Sequence, residues 1–212
     1  MLSLDKIIAN AIIHSIRNEI ASKKLETMEQ QLRENFGLEI TDIFHKFEDM
    51  KIALFNFTSE LKNIEDKILN NFLIVEKDSA SNEIWLMINN RYLTELILKT
   101  FADEDKKTII DLIRNNAETI PRILERCGLP NTSGYRKMNQ LIEDNMIIST
   151  GLTETFEGKR AILYKSVIHK IQIFINKNNI QAKIQIDKDM LDSSEIIQTI
   201  MTISKNNILV SN

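Results

Sequence analysis

The sequence predicts a mainly helical protein with a small amount of β-structure, on three observations. Apolar residues recur at three- and four-residue intervals through much of the first 75 positions and again from 120 to 142, as on one face of an α-helix. Apolar and polar residues alternate only near 170–187. Four of the five glycines and both prolines lie between 121 and 158, so sharp turns are concentrated there.

This turn-rich segment predicts two helices joined by a tight turn. Thr119 is placed to cap a short helix with Pro121 in its first turn, and Gly128 is placed to end it. A second helix follows Pro130. Its predicted apolar stripe consists of Tyr135, Met138, Leu141 and Ile142. Such a pair, with polar and basic residues near the start of the second helix, is typical of a helix-turn-helix.

A β-hairpin is predicted directly after this helix pair. Residues 146–150 form one predicted strand and 161–165 its partner. The loop between them has a glycine near each end and the basic pair Lys159-Arg160 at its exit. A hairpin in this position is interpreted as a wing.

These residues resemble the winged-helix regulators of archaea and bacteria of the metalloregulator (ArsR-like) type. Residues 98–105 are similar to the approach to that family's first helix, which falls here at 106–115, and residues 130–137 and 141–147 are similar to its recognition helix and the following strand. The resemblance implies a dimeric DNA-binding regulator. Gly134 replaces the family's usual small or branched residue, which predicts a looser start to the recognition helix.

The N-terminal part is similar to a small all-helical output domain of thaumarchaeal signalling proteins, through residues 35–38 and 61–68. This resemblance implies a signalling context rather than a chemistry. Isoleucines at 8, 12, 16 and 20 repeat every four residues and predict an amphipathic first helix. Its polar face is poor in lysine and arginine, which favours core or dimer packing over a membrane surface. Phe44, Phe47 and Leu54 lie close in sequence and form either a core or a ligand pocket.

The remaining segments complete the predicted order of elements. Residues 76–82 are polar and form the best linker candidate, and 85–98 are predicted as a connecting helix, with Asn89-Asn90 as the place of a break if it is not continuous. The alternating residues near 170–187 predict a second hairpin with its turn at 177–179. Asp192 and Glu195 are spaced as a capping box for a last helix, which either covers the hairpin or packs across a dimer axis.

The chemistry of the whole chain excludes several classes of function. The formal net charge of -3 argues against a protein that coats nucleic acid non-specifically, because that mode neutralises many phosphates. The only cysteine, Cys127, and the three histidines are scattered along the chain, so neither a disulfide framework nor a metal site is predicted, and the metal sensing of the resembled family is not carried over. We expect no cofactor and no enzyme activity. A signal peptide and a membrane-spanning run are not apparent, which predicts a cytoplasmic protein.

The predicted DNA-binding residues lie on the second helix and the wing. The start of a helix offers free N–H groups to a phosphate, and arginine or glutamine on the same helix can read base edges in the major groove. The predicted set is Asn131, Thr132, Ser133, Arg136, Lys137, Gln140, Lys159 and Arg160. Tyr135 is interpreted as a core residue or a phosphate contact. Glu154 and Glu157 in the wing would repel phosphate.

Together these features predict a homodimeric, sequence-specific transcriptional regulator that binds double-stranded DNA and responds to a signalling protein or small effector. The predicted fold is an N-terminal helical domain plus a C-terminal winged helix-turn-helix followed by a β-hairpin and terminal helix. The predicted boundaries are 1–75 for the helical output or dimerisation domain, 76–100 for the linker and connecting helix, 101–166 for the winged helix-turn-helix and 167–212 for the remainder. The alternative is a protein-interaction module whose winged helix does not bind DNA.

Overall fold

The computed structural model describes residues 3–40, 54–78, 83–154, 158–177, 179–203 and 208–211. Its α-helices are α1 (Ser3–Glu19), α2 (Ser22–Phe36), α3 (Thr58–Asn63), α4 (Arg91–Ala102), α5 (Glu104–Leu112), α6 (Ile120–Cys127), α7 (Asn131–Glu143), α8 (Lys188–Ser193) and α9 (Glu195–Ile203). A 3₁₀ turn at Phe55–Phe57 precedes α3, and a π-helical stretch at Ile64–Leu69 continues it. The strands are β1 (Leu73–Asp78), β2 (Ile84–Ile88), β3 (Glu118–Thr119), β4 (Ile147–Glu154), β5 (Arg160–Ser166), β6 (Lys170–Asn176), β7 (Asn179–Ile186) and β8 (Ile208–Ser211).

The strands form two sheets. The larger has the order β6-β7-β2-β1-β8, with β8 parallel to β1 and the other neighbours antiparallel. The smaller has the order β3-β5-β4 and is antiparallel throughout. Residues before position 89 and residues after position 169 therefore contribute adjacent strands to one sheet.

The larger sheet buries one face against helices from both ends of the chain. Val75, Leu86 and Ile184 lie on this face and are at most 3% exposed. Helix α4 packs against β7 and α1, while α9 packs against β1 and α1. On α1, Ile8, Ile12 and Ile16 are fully buried. The isoleucine stripe of the first helix therefore belongs to the core of a single chain.

A buried polar contact ties the first helix to the last. Asp5 of α1 is 2% exposed, and its carboxylate accepts a hydrogen bond from the Ser194 hydroxyl. The same hydroxyl oxygen accepts the Ile197 N–H at 3.1 Å, so Ser194 caps α9. The predicted capping box of Asp192 and Glu195 is wrong, because Asp192 lies inside the preceding helix α8.

The predicted fold class, mainly α with small β, is wrong. The structure has two sheets, and the hairpin β6–β7 is not an appendage to a winged helix-turn-helix, because it continues the sheet that contains β1 and β2. The first helices do not form a separate all-helical unit either, since α1 shares its core with this sheet and with α9. The described residues thus form a mixed arrangement of helices and two sheets.

The main cause of this error lies at residues 85–98: a break at Asn89-Asn90 is present, but the residues before it are not helical as predicted. Residues 84–88 are instead the central strand β2, and α4 starts only after Asn90, whose side chain accepts the Leu93 N–H at 2.9 Å. The run Ile-Trp-Leu-Met-Ile has no polar residue, so its period does not distinguish a buried strand from a buried helix. Its neighbour β1 takes up residues 76–78 of the predicted linker, and residues 79–82 lie outside the described residues.

Two local predictions are confirmed. Alternation near 170–187 predicted a hairpin, and β6 pairs with β7 up to Asn176 opposite Asn179. Gly128 ends α6 with a left-handed φ of 64°, which glycine adopts without strain. Phe44 and Phe47 lie outside the described residues, and Leu54 is fully buried. Within the described ranges, no helix combines the length and apolar character that crossing a bilayer requires.

Candidate nucleic-acid interface

Helices α6 and α7 cross at a glycine. Gly134, in the first turn of α7, is buried, and a Cβ placed on it would lie 2.5 Å from Cδ2 of Leu124. Leu124 is 1% exposed, so its side chain is enclosed by the surrounding core. Glycine is thus required for the close approach of the two helices. The predicted loose start of α7 is not observed, because this contact fixes it.

The Gly134 contact also sets which face of α7 is turned outward. The buried positions are Gly134, Met138 and Leu141, which follow helical spacing. The opposite face exposes Thr132, Tyr135, Arg136 and Asn139. Tyr135, which was assigned to the predicted apolar stripe, is 42% exposed and lies on this outward face. The outward face combines hydrogen-bonding groups, an aromatic ring and one cation.

The beginning of α7 is open to an external acceptor. Its N-cap residue is Pro130, which has no side chain that can accept a hydrogen bond from the first turn. Asn131 and Thr132 are exposed in this turn, whereas Ser133 is half-buried and its hydroxyl donates to the Pro130 carbonyl at 3.2 Å. The first-turn N–H groups and the positive end of a 13-residue helix favour an anion here.

Lys137 is held by carboxylates of the neighbouring helix rather than turned outward. Its ammonium group forms an ion pair with Asp103 and lies 4.0 Å from Asp105, and its side chain is 16% exposed. Asp103 also caps α5, because its other carboxylate oxygen accepts the Lys106 N–H at 3.2 Å. The hydrogen bond from Lys137 lowers the pKa of Asp103 below its ordinary value. Lys137 therefore positions α7 against α5.

We expect Asp103→Asn to destabilise the protein by about 1 kcal/mol near neutral pH, since asparagine preserves the helix cap but loses the charge facing Lys137. Because the folded pKa of Asp103 is depressed, the ion pair contributes fully above the ordinary aspartate pKa of about 4 and is lost as the pH falls through the folded pKa. Urea unfolding of both proteins between pH 7 and pH 3 measures this. A difference that stays constant down to pH 3 would contradict the prediction.

The remaining predicted residues are divided between α7 and the hairpin β4–β5. Gln140 is half-buried. Lys159 and Arg160 are exposed where β5 begins, and Arg160 is the register partner of Glu154 on β4. Glu157 lies outside the described residues. The structure therefore brings Asn131, Thr132 and Arg136 together on one surface, while Lys137 and Gln140 turn toward the protein.

A cleft of about 430 Å³ lies beside this region, between the start of α1, the end of α7 and the smaller sheet. Its lining is largely apolar and includes Ile142, Ile147 and Tyr164, and among the described residues that line it Lys6 is the charged one. Such a composition suits a mainly apolar molecule that carries an anionic group. The cleft was not predictable from local sequence patterns, because its walls are distant in the chain.

The described residues hold no clustered metal-ligating side chains. Within them, no group of three or more His, Cys, Asp or Glu side chains is placed to hold a metal ion. Burial raises the pKa of the half-buried Cys127 thiol, which disfavours its reactive thiolate form. His14 stacks on Tyr92 with ring centroids 4.0 Å apart, and His169 lies 3.0 Å from Asp187. These histidines lie on different elements and form no common site.

The geometry of the outward face of α7 is thus the main basis for considering function. Comparisons of the chain with family models, curated proteins and solved structures find no match, so no relative adds to that geometry.

Proposed function

We propose that the protein is a sequence-specific DNA-binding transcriptional regulator that acts as a homodimer and contacts the duplex through α7. The observation that carries this proposal is the outward face of α7, where an open helix start is followed by Arg136 and by uncharged hydrogen-bonding side chains. A regulator of this kind works where the DNA is, in the cytoplasm of a prokaryotic cell.

The geometry of α7 suits some of its residues to phosphates and others to base edges. The exposed first turn, with Asn131 and Thr132, is suited to a phosphate, which fixes the register of the helix on the duplex. Arg136, one turn further, is suited to a guanine edge, and Asn139 on the same face is suited to adenine. Tyr135 lies beside them and can donate its hydroxyl to a phosphate. Arg160 on the hairpin β4–β5 adds a second cation for the backbone.

We expect Arg136→Ala to weaken binding to a specific DNA site at least about tenfold while changing binding to random DNA little, because a bidentate arginine–guanine contact carries sequence discrimination. Anisotropy titrations with fragments of the upstream region of the protein's own gene, at two salt concentrations, measure this. Arg17→Ala, which removes an exposed arginine from the far end of α1, is the matched control and should bind as wild type does. Equal loss for Arg17→Ala and Arg136→Ala would contradict the assignment of α7.

A second candidate is a protein-interaction module, and a specific observation favours it. The hairpin β4–β5 exposes two large apolar side chains, Leu152 at 60% and Ile162 at 45%. Apolar groups on a tip that faces DNA are unusual, whereas they are common in protein contacts. The DNA titration distinguishes the two candidates, because an interaction module would bind none of the fragments or would bind all of them weakly and equally.

We propose that an effector binds in the cleft beside α7. A ligand seated against Ile142 would touch the end of α7 and the start of α1. It would therefore be placed to alter the position of α7 against its neighbours. A mainly apolar acid fits the lining and the single charge of Lys6.

A further inference from the structure

The homodimer of the proposed function needs an interface, and the terminal helices do not supply it. The stripe of α1 is buried within one chain, and Ile196, Ile197 and Ile200 of α9 are at most 1% exposed. The apolar surface that remains outside the core lies mainly on two hairpins, β4–β5 and β6–β7. Only the second of these belongs to the edge of the larger sheet.

Strand β6 is an edge strand without the usual protection. It pairs with β7 on one side, and in the described sheet no strand pairs with it on the other. An open edge presents a row of backbone N–H and C=O groups that can pair with another strand. Proteins usually guard such edges with charges or proline, yet residues 171–176 contain neither. All residues from 172 to 176 are exposed.

The exposed side chains of this edge are large and apolar on both faces of the sheet. Ile173 is 39% exposed and Ile175 is 74% exposed, and both lie on the face that buries the core further along the sheet. Ile180, the register partner of Ile175, is 45% exposed and widens this surface. Phe174 is 46% exposed on the opposite face.

We propose that two copies of the protein associate by antiparallel pairing of their β6 strands, forming one continuous ten-stranded sheet around a two-fold axis at Ile173. The partner strand is expected to be a second copy of β6, because the apolar residues of β6 are placed symmetrically about Ile173. About such an axis, Ile171 lies opposite Ile175, and Ile173 lies opposite its own copy, so apolar side chains meet on one face. The second copy extends the apolar face of the sheet without interruption.

Charge complementarity also favours a second copy. Lys170 is the only charged residue of β6, and in this pairing it lies opposite the uncharged Asn176. Its ammonium group is already paired with Glu83 of the same chain at 2.7 Å. No like charges oppose each other along the seven residues of the strand. An acidic or basic partner would find no matching charge on residues 171–176.

Sedimentation without DNA tests this inference separately from the proposed DNA binding, which the titrations above test. At micromolar concentration the wild type should sediment at twice 24.6 kDa. Ile175→Lys should raise the dissociation constant of the dimer at least about 100-fold, because the two-fold axis doubles the loss. Leu152→Lys, which places the same charge on a site of the hairpin β4–β5 that is 60% exposed, compared with 74% at Ile175, should remain dimeric. A monomeric wild type, or a dimeric Ile175→Lys protein, would overturn the proposal.

Disulfide cross-linking tests the register and does not depend on the stability of a lysine variant. In a Cys127→Ala background, Ile173→Cys should form an intermolecular disulfide on mild oxidation, since residues at the axis face each other with Cβ atoms about 5 Å apart. Ile175→Cys is the matched control, because its two copies would lie about 14 Å apart along the strands. Cross-linking at 175 but not at 173 would overturn the pairing.

Discussion

Ile12→Ala should lower the free energy of unfolding by about 3 kcal/mol, the largest effect that we expect from a single substitution in this protein. Ile12 is 0% exposed in the middle of α1, and its helix packs against α4, α9 and the π-helical stretch at Ile64–Leu69. Removing three carbon atoms there costs the transfer free energy of the lost groups and leaves a cavity that the packed surroundings fill only in part. Urea denaturation followed by circular dichroism measures the change.

The matched control is Ile162→Ala, which makes the same truncation at a site that is 45% exposed. Its cost should remain below about 1 kcal/mol, because little apolar area leaves a buried environment. If the stripe of α1 were an interface between subunits, Ile12→Ala would instead change the sedimenting mass and leave the isolated subunit stable. That pattern would contradict the placement of Ile12 in the core of one chain.

Gly134→Val should destabilise the protein by about 2 kcal/mol or more, because the added atoms meet the Leu124 side chain inside a closed contact. A first added carbon already lies 2.5 Å from Cδ2 of Leu124, and the two γ-methyl groups of valine add further bulk at the same contact. The substitution should also reduce DNA binding, since α7 must tilt away from α6 to relieve the clash. Thermal unfolding and the anisotropy titration measure the two effects.

Asn139→Val is the control for the thermal unfolding of Gly134→Val, since it places valine on the exposed face of the same helix. Its DNA binding is not compared, because Asn139 is itself a proposed base contact. The difference in stability between the two variants separates the cost of the contact with Leu124 from the low helix propensity of valine. A double variant with Leu124→Ala should be less destabilised than the sum of the single changes, because the smaller side chain makes room. Additive costs, or a harmless Gly134→Val, would show that the two helices do not depend on this contact.

Local sequence patterns predicted most of the helices and strands around α7. These patterns did not predict how the elements pack together. Gly128, Pro130 and the alternation after residue 170 each act through the backbone of a few residues, so their effect can be inferred without knowing the neighbours. Strand β2 is different. An uninterrupted apolar run indicates that both faces of the segment are buried, but it does not indicate whether the segment is a strand or a helix. Its partners, β1 and β7, lie more than 100 residues apart in the chain. Because residues 85–98 were assigned to a helix, the central strand of the larger sheet was not predicted, and the predicted fold class was wrong as a result.

The same limit applies to the candidate site. The exposure of Thr132 and Arg136 follows from helical spacing once α7 is assumed. The partnership of Lys137 with Asp103 does not, because it joins residues that are 34 positions apart. Tyr135 is predicted on the apolar stripe because it has helical spacing with Met138, Leu141 and Ile142. The structure reverses this choice, since Gly134 occupies the inner position that only a residue without a side chain can fill.

The hydrogen bond between Asp5 and Ser194 has a consequence for how the chain matures as it is synthesised. The two residues are separated by 189 positions, so the first helix is made long before the segment that covers it. At roughly 5–20 residues per second, the apolar side of α1 waits about 10–40 s for its partner on the ribosome. During that interval the apolar side of α1 is exposed to other nascent chains and to chaperones. The interior beneath α1 is therefore completed only after α9 has been made.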